Sequence, residues 1–64
     1  MDPLKLNEFV TRISEEIGRK ILVSDDMRYR GKLHRAEILD AEISVANSLL
    51  NRFIIFCRKE GVTI

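Results

Sequence analysis

A chain of 64 residues has room for one small domain, and at this size folding buries only about 60% of the surface the unfolded chain exposes, so a disulfide, a metal or a partner subunit is the usual supplement. The composition, 45% apolar and 33% charged, is that of an ordinary globular chain and excludes the disordered class. One cysteine excludes an intrachain disulfide, one cysteine with one histidine makes no structural zinc site, and a net charge of +1 gives no strongly basic domain.

No run of about 18 apolar residues occurs, and Met1-Asp2-Pro3-Leu4-Lys5 has neither the basic start nor the apolar stretch of a signal peptide. The expectation is a cytoplasmic protein with no membrane contact, and an unpaired thiol fits a reducing compartment. The small net charge hides a polarised distribution: residues 19–35 hold six bases and two acids, whereas the segments on either side are net acidic.

The first element is predicted as a helix over about 3–18. Asp2 suits its cap, Pro3 its first position and Gly18 its end, and Leu6, Phe9, Val10, Ile13 and Ile17 recur at three- and four-residue steps.

Residues 19–35 admit two readings. Ile21-Leu22-Val23, a Ser24-Asp25-Asp26 turn and Met27 to Leu33 form a hairpin in one, with Arg28, Arg30 and Lys32 on one side of the second strand. In the other, Ser24 caps a second helix that starts near 25. Against that reading, Gly31 inside a helix costs about 1 kcal/mol. Against a helix starting near 35, Lys32-Leu33-His34-Arg35 offers no good cap. No internal repeat or linker is seen.

From about 25 or 35 to 60 the pattern is helical. Apolar residues occupy one half-circle, and 36, 39, 43, 46, 50, 53 and 57 continue an alternation of three and four that suits helix-on-helix packing. Glu42 falls inside that arc, Ile55 outside it, and Gly61 follows the end. The fold class is therefore mainly α: two antiparallel amphipathic helices packing as a dimeric helical bundle, with α-β-β-α and a hairpin at 19–34 as the alternative.

An apolar half-circle of about 22 residues exceeds what a 15-residue helix covers, so a second copy is expected, its interface built from Leu39, Ile43, Leu50 and Phe53 with Glu42. A carboxylate on an apolar face needs a partner, and an ion pair or hydrogen bond setting register or partner choice is the expected role of Glu42. Arg28, Arg30, Lys32 and Arg35, with Tyr29 among them, are the candidates for contact with nucleic acid or an acidic partner: cations meet phosphates and a tyrosine stacks on an unpaired base. The competing reading is a solvated connection paired with nearby acids.

Cys57 reads as a small buried hydrophobe, His34 and Glu37 as an exposed polar pair, and Asp25-Asp26 as turn or cap chemistry without the spaced oxygens of a calcium loop. With no phosphate-binding glycine loop and no nucleophile with a base, no enzyme, cofactor or metal is expected.

Ile21 to Leu33, with its Tyr29-x-Gly31-x-Leu33 run, resembles the first two strands of Sm-like RNA-binding proteins. Cys57-Arg58-Lys59-Glu60-Gly61-Val62 is similar to that family's second motif, with Lys59 where glycine is usual, and 37–42 lacks its Met-Asn pair. The resemblance implies strands across 36–57 and a ring-forming RNA binder. The residues themselves point to a small oligomeric interaction or regulatory module that binds another macromolecule through a helical scaffold, with nucleic-acid binding through 19–35 as the alternative.

Overall fold

Asp2 and Pro3 start the first helix as expected: the Asp2 carboxylate accepts a 3.0 Å hydrogen bond from the Leu4 N–H, and Pro3 takes the position where a missing N–H costs nothing. In the computed structural model, which describes residues 2–64, α1 spans Pro3–Tyr29 and α2 spans Leu33–Lys59. The two lie antiparallel as a helical hairpin about 45 Å long, so the mainly α class with two antiparallel helices is what the chain adopts. No strand occurs among the described residues.

Three expectations are corrected. The first helix does not stop at Gly18 but runs eleven residues further, to Tyr29, with Gly18 in its interior. Ser24 caps nothing; it is 1% exposed inside α1. The hairpin at 19–34, and with it the strands that the Sm-like resemblance implies, is absent.

Both glycine motifs behind that resemblance are helix ends. At Gly31, φ is +78°, the Lys32 N–H bonds to the Met27 carbonyl at 2.8 Å and the Gly31 N–H to the Arg28 carbonyl at 3.0 Å. At Gly61, φ is +82°, the Val62 N–H bonds to the Cys57 carbonyl at 2.9 Å and the Gly61 N–H to the Arg58 carbonyl at 3.1 Å. Each is a left-handed glycine closing a helix with paired 6→1 and 5→2 bonds. The first turns the chain; the second ends α2, and Asn7 Nδ2 then donates to the Thr63 carbonyl at 3.4 Å, holding the tail near the start of α1. Lys32 gives α2 no side-chain cap, so the Gly31 turn and interhelical packing position its start.

The seam follows the alternation of three and four on both helices. On α2 it is residues 36, 39, 43, 46, 50, 53 and 57, every one buried or half-buried. On α1 the stripe begins with Leu6, Val10, Ile13 and Ile17 and continues through Lys20, Ser24 and Met27, also all buried or half-buried. The two helices are 27 residues each, so the expected shortfall of α1 does not exist. The core is nevertheless thin: among the described residues only Ile17, Ala36 and Cys57 are buried apolar side chains. Two helices alone enclose little, because each exposes most of its circumference.

Candidate functional site

The two open sides of the hairpin differ chemically. One is an apolar groove of about 430 Å3 whose walls include Phe9 and Ile13 from α1 and Ala46, Leu49 and Phe53 from α2. The rings of Phe9 and Phe53 meet edge to face, centroids 5.8 Å apart at 69°, the geometry that aligns a positive ring edge with a negative face. Toward the turn the groove continues past Val45 and Leu49 to Lys20 and Glu42.

Ile38, Val45, Leu49 and Phe56 each sit one residue before a seam position, so helical periodicity places them along the groove side of α2. All four are at least half exposed. Glu42 shares that row and is paired: Lys20 Nζ lies 3.0 Å from its Oε2, with both side chains about half exposed. The partner expected for this carboxylate is thus on α1 of the same chain. Leu39, Ile43, Leu50 and Phe53 face α1 of their own chain in the seam, and Leu50 and Phe53 also reach the groove.

The other side is polar. Ser24 Oγ donates to Asp40 Oδ1 at 2.6 Å and lies 3.5 Å from the Ala36 carbonyl, while Arg28 donates to the second oxygen of Asp40 and, at 3.1 Å, to Asp25. Asp26 pairs with Arg30 at 3.0 Å. Asp25-Asp26 is therefore ion-pair chemistry in the last turns of α1, not a turn or a cap. No buried side-chain nitrogen or oxygen among the described residues is left without a partner, as a thin core requires.

These pairs divide the basic segment. Arg28 and Arg30 are engaged by carboxylates, whereas Lys32, His34 and Arg35 form no ion pair among the described residues. Tyr29 beside them is 92% exposed and Leu33 60%. The turn thus brings Tyr29, Lys32 and Arg35 to one end of the hairpin, away from the groove's aromatic pair.

Cys57 is buried at 5% exposure, as its apolar position implied. Among the described residues no three of His, Cys, Asp and Glu gather to hold a metal ion, and no helix is long and apolar enough to cross a membrane. The sequence pointed to Glu42, Leu50 and Phe53. It missed Phe9 and Ile13 as groove residues and Lys20 and Ser24 as seam residues. Extending the α1 spacing past Ile17 to Met27 would have found the last two. No family model, curated protein or solved structure matches this chain.

Proposed function

We propose that this chain is a small homo-oligomeric interaction module, non-enzymatic and cytoplasmic, in which two hairpins pair through the apolar groove and the assembled helical bundle binds another macromolecule in a regulatory role. The observation that carries this reading is the groove: Phe9, Ile13, Val45, Leu49 and Phe53 lie along one side of a hairpin in which only three apolar side chains among the described residues are buried. Burying a leucine or phenylalanine fully contributes about 1.5–3 kcal/mol, against a stability of about 5 kcal/mol or less for a core of this size. Covering the groove is worth as much to this chain as its own seam.

A second copy is favoured over other occupants on size and symmetry. The broad side measures 45 × 16 Å between Cα atoms, which matches the roughly 800 Å2 that each partner contributes to a stable interface. Four helices around one core is the usual closure for an amphipathic hairpin. Sedimentation at micromolar concentration should give a dimer or larger, and Val45→Asp, which sets a charge in the groove and leaves the seam intact, should give a folded monomer. A wild-type chain that stays monomeric overturns the reading.

A second reading, contact with nucleic acid at the turn, draws on the exposure of Tyr29 beside Lys32 and Arg35. The engagement of Arg28 and Arg30 by carboxylates counts against it. Repeating the sedimentation with a generic nucleic acid at low and moderate salt tests it, since phosphate contacts weaken steeply as salt rises.

A further inference from the structure

We infer that the second copy binds with its turn at the same end, the two-fold axis running along the helices, so that Lys20 of each copy faces the partner's Glu42. This rests on the proposed self-association and adds its geometry. Three contacts within one hairpin fix which residues share a level: Phe9 with Phe53, Lys20 with Glu42, and Ser24 with Asp40. From the open end toward the turn, the groove therefore reads as an aromatic pair, then Ile13 with Leu49, then Glu16 near Ala46, then the ion pair Lys20–Glu42.

A two-fold axis lying between two such faces has two settings. Along the helices, it sets α1 against the partner's α2, with every level meeting its own kind. The four phenylalanines gather in one layer. One layer of the bundle then alternates Lys20, Glu42, Lys20 and Glu42, each charge between two of opposite sign, and all neighbouring helices run antiparallel. Across the helices, the axis sets α1 against the partner's α1 and inverts the levels. With the helices fully overlapped, Lys20 then lands near the partner's Ile13, and Glu42 near the partner's Leu49 and Leu50. Lys20 and Glu42 there lose water to apolar neighbours and gain no new counter-charge, and Glu16 meets the partner's Glu16. The first setting instead gives Lys20 and Glu42 a second counter-charge and sets Glu16 against the small Ala46. The first setting also brings both turns, each with Lys32, His34 and Arg35, to one end of the bundle.

Mixing two charge variants of the full chain distinguishes the settings. Lys20→Glu makes the Lys20–Glu42 layer wholly acidic and Glu42→Lys makes it wholly basic, so each variant alone repels itself in that layer. An equimolar mixture restores opposite charges across the interface while leaving like charges within each chain. Each variant alone should dimerise at least about tenfold more weakly than wild type, and the mixture should recover most of that loss as a heterodimer. A mixture no tighter than either variant alone overturns the same-end geometry. Spin labels at Lys32→Cys in a Cys57→Ala background give a readout with the native charges in place. Same-end turns put the labels within about 25 Å, on the order of two helix diameters, whereas opposite ends separate them by about the 45 Å length of the hairpin. A dimer with the long distance overturns the geometry alone; a wild-type monomer by sedimentation overturns the self-association beneath it.

Discussion

Ser24, on α1, donates a 2.6 Å hydrogen bond from its hydroxyl to the Asp40 carboxylate of α2 across the seam, from a site only 1% exposed. A seam position normally carries an apolar side chain. Here a small polar residue faces Ala36, and the helices run close enough for the Ser24 hydroxyl to lie 3.5 Å from the Ala36 carbonyl. Arg28 holds the other Asp40 oxygen, so the carboxylate is fixed from two sides. A polar contact of this kind works in only one alignment of the helices, and it specifies register where Leu against Leu would tolerate sliding.

Ser24→Ala should therefore lower unfolding free energy by about 1.5–3 kcal/mol, the range for losing a hydrogen bond to a charged group. The same change at exposed Ser44 should have an effect within about 0.5 kcal/mol of zero. Ser24→Leu should destabilise further, because the close approach at Ala36 has no room for it. Chemical denaturation of the three variants checks this, and equal effects at Ser24 and Ser44 would remove the register argument.

Gly18, in the interior of α1, and Gly31, in the turn that follows it, should respond to substitution with opposite signs. Gly18 lies inside α1 with nothing within 4 Å of where a Cβ would stand, so Gly18→Ala should stabilise by about 0.5–1 kcal/mol through helix propensity and a less flexible unfolded chain. Gly31 has equal space but a φ of +78°, and Gly31→Ala should destabilise by about 1 kcal/mol or more. At this chain length each kcal/mol moves the melting temperature by about 4–8 °C, so thermal melts resolve both signs.

That contrast also explains what the sequence made legible. The α2 seam could be read in full, because each of its positions is apolar and the alternation is unbroken from Ala36 to Cys57. The α1 seam faded after Ile17, since Lys20 and Ser24 carry the next two positions, and Gly18 stood where a helix end is plausible. Nothing local separates a helix-ending glycine from an interior one; the tertiary contacts of Lys20 with Glu42 and of Ser24 with Asp40 carry the helix past it. Gly31 and Gly61 look like family motifs for the same reason that they end helices: a glycine after a basic turn is a common chain-reversal signal. Glu42 was identifiable as a carboxylate in need of a partner, but the partner lay in the segment whose structure was open.

The ion pairs of the basic segment predict a split among its cations. Arg28 ties Asp25 to Asp40 on the other helix, so Arg28→Gln should cost stability, by about 1 kcal/mol for a partly exposed network. Lys32→Gln and Arg35→Gln, which break no ion pair, should leave the melting temperature unchanged. If the chain retains nucleic acid at low salt, the same two variants should flatten the salt dependence by about 0.7–0.9 of a log unit per lost phosphate contact. Titrations across a salt series, run beside thermal melts, check both halves. A loss of stability in Lys32→Gln equal to that in Arg28→Gln would contradict the division.

Leu49 and Ile55 provide the sharpest test of what the groove is for. Both stand on α2 with more than half of their surface exposed, 58% and 51%, so exposure alone predicts equal consequences for replacing them. Their positions differ: Leu49 lines the groove beside Phe9, Ile13 and Phe53, while helical periodicity turns Ile55 to the outer side of α2, away from seam and groove. In a two-fold dimer a groove residue is lost twice per assembly. At about 1.5–3 kcal/mol for each buried leucine, Leu49→Ser should weaken dimerisation on the order of a hundredfold or more. The wild-type melting temperature should rise with protein concentration, as it must when folding and association are linked. Leu49→Ser should lower it and remove that dependence over the micromolar range, whereas Ile55→Ser should track the wild type at every concentration. Melts at several concentrations are sufficient, and identical behaviour of the two variants would mean that the groove is not the surface through which the chain associates.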